Sequence, residues 1–219
     1  GVLGLLVLPG LAWLMAEDRR RPDWRMLIGG IVLQLALALL LLKTAFGLYI
    51  VLVLLRFLLQ LMRADFYNPV SQVIVRLTKP LLNPLRRVIP GVKGMDIASL
   101  VLAWLTLTIE QLAVLGVAGS GFQPLAAALL AVPELISLII NVFLFAILIQ
   151  VIISWINPGS HNPILSLIHS LTEPLLTPVR RRMPDLGGID LSPMVVMIGL
   201  VVLEMLLIPP VKTLISQLL

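Results

Sequence analysis

Two glutamates stand inside long apolar segments of a chain that carries few charges. Glu110 and Glu204 each follow an aspartate, Asp96 or Asp190, by 14 residues. If these segments are helices, each carboxyl lies about 21 Å along its helix from the aspartate. A carboxyl at that depth of a membrane is expensive and is a candidate functional group. The alternative is a protonated acid that hydrogen-bonds between helices or reaches water near the outer surface, and both interpretations stay open.

The basic residues form one isolated site and two runs. Arg56 lies within an apolar segment, where its head group extends toward the interface or pairs with a polar group inside the bundle. The two runs lie between apolar segments and consist of Arg86 and Arg87, and of Arg180, Arg181 and Arg182. Such runs bind anionic lipid head groups or an acidic partner, or they fix the orientation of the chain by the positive-inside rule. The two roles are compatible.

Four polar residues stand at predicted helix starts. Asn68 and Asn162 are each followed by proline, which favours an N-cap residue with proline in the first helical position. Asp96 and Asp190 precede apolar segments, where we expect them to cap the helices and interact with the positive end of the helix dipole. A substrate-binding role for these aspartates is the alternative.

The sequence lacks the residue patterns that are typical of enzyme active sites. It has no cysteine, and His161 and His169 lack acidic companions at ligand spacing, so we expect neither a metal site nor a cofactor. It contains no nucleophile elbow, phosphate loop or paired-acid motif. The basic runs are not interleaved with aromatic residues, which disfavours nucleic-acid binding.

Composition and hydropathy predict an all-α membrane protein. Hydrophobic residues make up 59% of the 219 residues and charged residues 12%, whereas a soluble domain is about 25% charged. The apolar runs predict six transmembrane helices, at about 1–16, 26–42, 48–62, 97–117, 134–156 and 191–209. Six spans would place the basic loops 17–25, 63–95 and 157–190 on one face, which the positive-inside rule makes cytoplasmic. This predicts a multi-pass membrane protein whose three basic loops are cytoplasmic.

An internal repeat organises the second part of the chain. A shift of 94 residues superimposes NPVSQVIVRLTKPLLNPLRRVIPGVKGMD (68–96) on NPILSLIHSLTEPLLTPVRRRMPDLGGID (162–190) without a gap. Each copy consists of a span, a basic amphipathic segment that should lie in the membrane interface, and a returning span. Prolines at 80 and 84 should break or kink the amphipathic segment. Because both copies enter and leave on the same sides, they are predicted to be parallel repeats.

These residues carry a family resemblance. The segment RFLLQLMRADFYNPVSQVIVRLTKPLLNPLRRVIPGVKGMDIASL (56–100) closely resembles the first half of the bacterial YggT family, also called YlmG, which has plastid relatives. The second copy, from Ile152 through Met194, resembles the second half, including SW, EPLLTPVRR and GGIDLSPM. The resemblance implies an integral membrane protein without established catalysis. It also implies an association with osmotic-stress tolerance, ion homeostasis, envelope or division processes and, in plastids, cytochrome complex assembly.

The start of the chain resembles a different family. Residues 12–44, AWLMAEDRRRPDWRMLIGGIVLQLALALLLLKT, are similar to the N-terminal helices of concentrative nucleoside transporters, whose sodium-binding and nucleoside-binding core is absent here. The predicted organisation is therefore an N-terminal helical hairpin at 1–46, a first YggT-like repeat at 48–117 and a second at 134–210.

Two functional classes follow from the sequence. The first is a non-enzymatic envelope assembly or scaffolding factor, whose basic amphipathic segments bind anionic lipids or membrane-protein partners. The second is a channel or transporter component for potassium or protons, in which Glu110 and Glu204 line a polar path at the repeat interface. Two repeats of two spans are small for a pore, so the second class predicts a homo-oligomer.

Overall fold

The structure is a computed structural model that describes residues 24–92, 94–117, 121–156, 162–183 and 190–218. The described part contains six helices: α1 (Trp24–Leu61), α2 (Pro69–Val88), α3 (Ile97–Val117), α4 (Pro124–Ile156), α5 (Pro163–Arg180) and α6 (Ser192–Leu218). Four of them, α1, α3, α4 and α6, are long and apolar enough to cross a membrane. The prediction of an all-α membrane protein is confirmed.

The predicted spans 26–42 and 48–62 form the single helix α1. Its 38 residues extend about 57 Å, nearly twice the thickness of a hydrocarbon core. The separating pentapeptide KTAFG (43–47) does not end the helix because it contains no proline, and the Thr44 hydroxyl donates to the Leu40 carbonyl at 2.8 Å within the helix. A single glycine, Gly47, weakens a helix by only about 1 kcal/mol relative to alanine. The predicted break is wrong, and the predicted span 1–16 lies outside the described residues.

The continuous α1 also changes the placement of the basic segments. Arg25 stands near the start of α1 and Arg63 follows its end, so the two arginines lie at opposite ends of one helix. The prediction that segment 17–25 shares a face with 63–95 and 157–190 is therefore wrong for its described residue Arg25. The other two basic segments do share a side of the bundle, because their helices α2 and α5 contact each other.

Both amphipathic segments are continuous helices in spite of their internal prolines. Pro80 and Pro84 lie within α2, and Pro174 and Pro178 lie within α5. The predicted break does not occur. All four prolines are exposed, and their spacing of four residues places each pair on one side of its helix. The backbone carbonyls that lose a donor therefore lie on the outward side of each helix and not against the spans.

The bundle is built from two similar halves joined through α4. In each half, two spans pack together and the intervening helix packs beneath them, as α2 does under α1 and α3. Between the halves, α3 packs along α4, with Ala103, Leu107 and Ala131 in the shared core. Helix α6 packs against α4 and α5, and within the described residues it contacts neither α1 nor α3.

Candidate functional site: the interfacial helices and their polar contacts

Each amphipathic helix is attached to the preceding span by a buried threonine. In the first copy, Arg56 of α1 donates through Nη1 to Thr78 Oγ1 at 2.7 Å and to the Val75 carbonyl at 3.1 Å. Arg56 is only 6% exposed and Thr78 is fully buried. The guanidinium therefore pairs with polar groups inside the bundle, a hydroxyl and a backbone carbonyl, and it makes no ion pair with a carboxylate among the described residues. It is held by neutral oxygens of α2.

The second copy repeats this contact without the charge. Thr172, the counterpart of Thr78, is also fully buried, and its hydroxyl donates to Oε1 of Gln150, the counterpart of Arg56. We call the contacts Arg56–Thr78 and Gln150–Thr172 the threonine anchors. Their shared geometry shows that the position needs a long hydrogen-bonding side chain, and that a positive charge is particular to the first copy.

An ion pair attaches the other end of each amphipathic helix to the returning span. Arg86 of α2 binds Asp96, which also accepts from the Ser99 hydroxyl. In the second copy, Arg180 of α5 binds Asp190 at 2.9 Å and Glu173 at 2.8 Å. We call Arg86–Asp96 and Arg180–Asp190 the ion-pair anchors.

The aspartates of these pairs have pKa values below the ordinary value. Burial on its own would raise the pKa of Asp96, but hydrogen bonds from Arg86 and Ser99 outweigh it and lower that pKa. The same opposition lowers the pKa of Asp190, where hydrogen bonds from Ser192 and Arg180 outweigh partial burial. Both aspartates are therefore ionised at neutral pH.

Capping residues begin both amphipathic helices. The Asn68 side chain accepts from Val70 N at 2.9 Å, and that of Asn162 accepts from Ile164 N at 3.0 Å. The Asp190 carboxylate accepts from Ser192 N at 2.9 Å at the start of α6. Asn68 also joins the two copies, because its Nδ2 donates to the Pro163 carbonyl at 2.7 Å.

The ion-pair anchors divide the arginines into two groups. Arg86 and Arg180 are bound to aspartates, whereas Arg87, Arg181 and Arg182 are exposed and have no acidic partner among the described residues. Neighbouring residues on a helix point about 100° apart, so only one arginine of an adjacent pair can reach the returning span. The order of residues alone does not distinguish the two arginines.

Helix α2 has the surface of an interfacial helix. Val73, Leu77 and Leu81 recur every four residues and are 56%, 51% and 54% exposed. The side of α2 away from this apolar stripe carries exposed Arg76, Lys79 and Arg87. An apolar stripe beside a basic face is typical of a helix that lies at the boundary between acyl chains and head groups.

Helix α5 lacks most of this charge. The counterparts of Arg76 and Lys79 at the repeat offset are Ser170 and Glu173. Glu173 is bound to Arg180 at 2.8 Å, which leaves α5 close to neutral. The basic surface therefore belongs mainly to the first copy, although Arg181 and Arg182 follow the end of α5.

The two intramembrane glutamates lie on different sides of α4. Glu204 of α6 accepts from the Ser137 hydroxyl of α4, and the Ser137 carbonyl accepts from Asn141 Nδ2 at 2.9 Å. Glu110 of α3 lies in the neighbourhood of Lys43 of α1 and Glu134 of α4, and among the described residues it makes no ion pair within 4 Å. Since α3 and α6 do not contact each other, the structure does not bring the two glutamates together.

The environments of the glutamates differ because one repeat position differs. Ser137, the partner of Glu204, is the counterpart of Lys43. The repeat position that supplies a hydroxyl to Glu204 in the second copy is therefore a lysine in the first, and this lysine makes no ion pair with Glu110 among the described residues. Lys43, Ser137 and the threonines of the anchors were not singled out from the sequence, although both threonines belong to the repeated motif T-x-P-L-L-x-P.

Replacing Ser137 by alanine removes the described hydrogen-bond donor to Glu204. We expect the free energy of unfolding to fall by about 1 kcal/mol, since one hydrogen bond to a partly buried group is lost. Glu204→Gln in the unaltered background should lower it less, because the Ser137 hydroxyl can donate to the amide oxygen as it does to the carboxyl. Unfolding in mixed micelles of dodecyl maltoside and SDS, followed by circular dichroism, measures both effects. An unchanged stability of Ser137→Ala would contradict the contact.

Comparison with known families gives two matches. The family described as CCB3/YggT matches residues 34–117 and 129–211, once over each copy. The chain belongs to the CCB3/YggT family. A second family, described as the N-terminus of Na⁺-dependent nucleoside transporters, matches residues 3–64. This match overlaps the start of the first YggT match. Both resemblances found in the sequence are thereby confirmed.

Relatives of this YggT-family chain come from several bacteria. An uncharacterised protein of Pseudomonas aeruginosa is 51% identical over 176 residues, covering 78% of this chain and 88% of its own length. The uncharacterised protein YggT of Escherichia coli K12 is 40% identical over 167 residues, covering 75% of this chain and 86% of its own. No solved structure matches the chain.

Proposed function

We propose that this YggT-family chain is a non-enzymatic scaffold of the bacterial cytoplasmic membrane, which binds anionic lipid head groups through the basic face of α2. The observation that carries the proposal is the division of the arginines. Arg86 is used to hold α2 beneath the spans, while Arg76, Lys79 and Arg87 are exposed and have no acidic partner in the described chain. The attachment thus fixes the orientation of a basic surface that is otherwise unoccupied.

Electrostatics supports this role. A lysine or arginine near an anionic leaflet contributes about 1 kcal/mol of attraction, so three of them contribute about 3 kcal/mol. The exposed apolar stripe of Val73, Leu77 and Leu81 supports a position of α2 at the depth where those charges would meet phosphates. The positive-inside rule assigns this face to the cytoplasm.

A fixed basic surface is also what an envelope factor needs under osmotic stress. Changes in turgor alter lateral tension in the bilayer, and a scaffold that holds anionic lipids or acidic membrane proteins beneath its spans keeps an assembly together. This is consistent with the association of the family with osmotic-stress tolerance and envelope assembly.

Neutralising the basic face tests the proposal. The triple variant Arg76→Gln, Lys79→Gln, Arg87→Gln keeps both anchors of α2, so we expect it to accumulate and fold normally. In nanodiscs of phosphatidylcholine with phosphatidylglycerol, native mass spectrometry should find that it retains several-fold less phosphatidylglycerol than the unaltered chain. The matched control is Gln72→Ala, Asn83→Ala, which changes exposed neutral residues of α2 and should retain the lipid fully.

The same variants test the cellular role. In a bacterium that lacks its own YggT protein, the control variant should restore growth at high osmolarity and the triple variant should not. Equal phosphatidylglycerol retention by the two variants would overturn the scaffold proposal. So would potassium or proton flux through liposomes that contain the pure protein, if Glu110→Gln abolishes it, since that result requires a channel.

A further inference from the structure

A cavity of about 430 Å³ lies between the two copies, bounded by α1, α2, α4 and α5. Fifteen residues line it, and Asn141 is the one polar residue among them. None of the charged residues discussed above is part of this lining. The cavity is therefore distinct from the basic face and includes neither glutamate, although its one polar residue, Asn141, hydrogen-bonds to Ser137, the partner of Glu204.

Corresponding positions of the two copies meet across this cavity. Repeat-related pairs line it, among them Val51 with Phe145, Leu55 with Ile149, and Ile74 with Ile168. The space is thus built by the packing of one copy against the other. Its wall of branched aliphatic side chains comes from α1 and α4 at membrane depth and from α2 and α5 below.

The cavity opens on the lateral surface of the bundle, and its apolar lining disfavours water. Phe145 and Ile149 line it and are themselves exposed, so the opening lies along the spanning helix α4. Cavities of about 150 Å³ lined by leucine, isoleucine and phenylalanine stay dry and take up apolar molecules. This cavity is larger and equally apolar, and at this depth the apolar molecules beside its opening are lipid chains.

We propose that the cavity binds one acyl chain of a membrane phospholipid. Its lower end is formed by Val70 and Ile164, which lie in the first turns of the interfacial helices. A chain that enters there leaves its glycerol at the level of α2 and α5, where a head group belongs. Phospholipids supply most of the acyl chains beside the opening, so the proposed occupant is an intact phospholipid, and a free fatty acid is one outcome of the test.

Exchanging one residue type between the copies tests the site. Val51→Phe introduces the side chain that already occupies the corresponding position 145, and it narrows the cavity from α1. Phe145→Val does the reverse and widens the opening. Val202→Phe is the matched control, because Val202 is exposed on α6 and does not line the cavity.

The measurement is photolabelling in liposomes of phosphatidylethanolamine and phosphatidylglycerol. A trace phospholipid carries a diazirine near the end of one acyl chain, and labelled peptides are identified by mass spectrometry. Residues 138–149 of α4 should be labelled at a stoichiometry near one and should be protected by excess phospholipid. Val51→Phe should reduce that labelling at least five-fold, whereas Phe145→Val and Val202→Phe should retain it. Circular dichroism and elution volume show whether each variant is folded.

Three results would overturn the proposal. The first is labelling spread evenly over the lipid-facing surface of α6, as annular lipid produces. The second is labelling of folded Val51→Phe equal to that of the unaltered chain. The third is labelling by a diazirine fatty acid that excess phospholipid does not compete, because the occupant would then be a free acid. None of these results bears on phosphatidylglycerol retention by the basic face, so the two proposals fail separately.

Discussion

Thr78→Val is expected to lower the free energy of unfolding by about 3 kcal/mol, since it leaves a buried guanidinium short of an acceptor. The Arg56 side chain reaches Thr78 Oγ1 at 2.7 Å and is 6% exposed. Its Nε already has no hydrogen-bond partner among the described residues. Valine has nearly the shape of threonine, so the loss reports the missing oxygen and not a cavity. Unfolding in mixed micelles at several SDS fractions, followed by circular dichroism, gives the value.

The second copy provides the control. Thr172→Val removes the same oxygen beside the neutral Gln150, where a lost hydrogen bond costs about 1 kcal/mol. Arg56→Gln makes the first copy resemble the second, and we expect Thr78→Val to cost about 1 kcal/mol in that background. Equal losses from Thr78→Val and Thr172→Val would show that the Thr78 hydroxyl does not stabilise the buried charge of Arg56. A cost of Thr78→Val that is unchanged in the Arg56→Gln background would show the same.

The architecture was largely readable from the sequence, because hydropathy and repetition act over many residues. Five of the six predicted spans and both amphipathic segments correspond to helices or to parts of helices, and two of those spans form the single helix α1. The absence of a break at 43–47 could not be predicted from the sequence. A lysine and a glycine mark a helix end only when the backbone N–H and C=O groups there find stronger hydrogen-bond partners outside the helix than within it. Here Thr44 hydrogen-bonds within α1, and the helix continues. The exposed prolines of α2 are a second example. Whether the helix continues through them depends on which side of the helix they occupy, and this side is known only once the packing is known.

The site was less readable, because its contacts depend on which side of each helix meets its neighbour. The repeat identifies Arg86 and Arg180 as corresponding residues, yet nothing in the order of residues distinguishes Arg86 from Arg87. Three-dimensional packing does so, by placing Asp96 within reach of one of them. The buried threonines were visible as part of a motif, but their role depends on Arg56 and Gln150, which stand 22 residues earlier in each copy.

The difference between the copies has a functional consequence. Both copies need α2 or α5 held beneath the spans, and both use a threonine anchor and an ion-pair anchor for it. Residues of the two helices that take no part in these anchors differ between the copies: Arg76 and Lys79 in the first correspond to Ser170 and Glu173 in the second. Duplication thus preserved the attachment and left the exposed surface free to diverge, which is why the basic face of α2, and not the shared arginine motif, is the part we connect with lipid binding.

Asp96→Asn is expected to destabilise the protein by about 2 kcal/mol at neutral pH, more than Asp190→Asn. The Asp96 side chain is 5% exposed and that of Asp190 is 41% exposed, so water and salt weaken the second pair much more. Removing one partner of a fully buried pair costs about 3–5 kcal/mol. The loss of about 2 kcal/mol expected for Asp96→Asn is smaller than this, because the Arg86 side chain is 36% exposed. Unfolding in mixed micelles at pH 7 with both variants measures the difference.

The pH dependence gives an independent check of the same pair. The folded pKa of Asp96 lies below its ordinary value, which is about 3.9 in an unfolded chain. Its stabilising contribution is therefore complete above about pH 5 and is lost as the pH falls through the lower folded pKa. The unaltered chain should lose stability over this range, and Asp96→Asn should lose distinctly less, because asparagine has no proton to gain. If acid destabilised the variant as strongly as the unaltered chain, the ionised Asp96 would not be what holds α2 to α3.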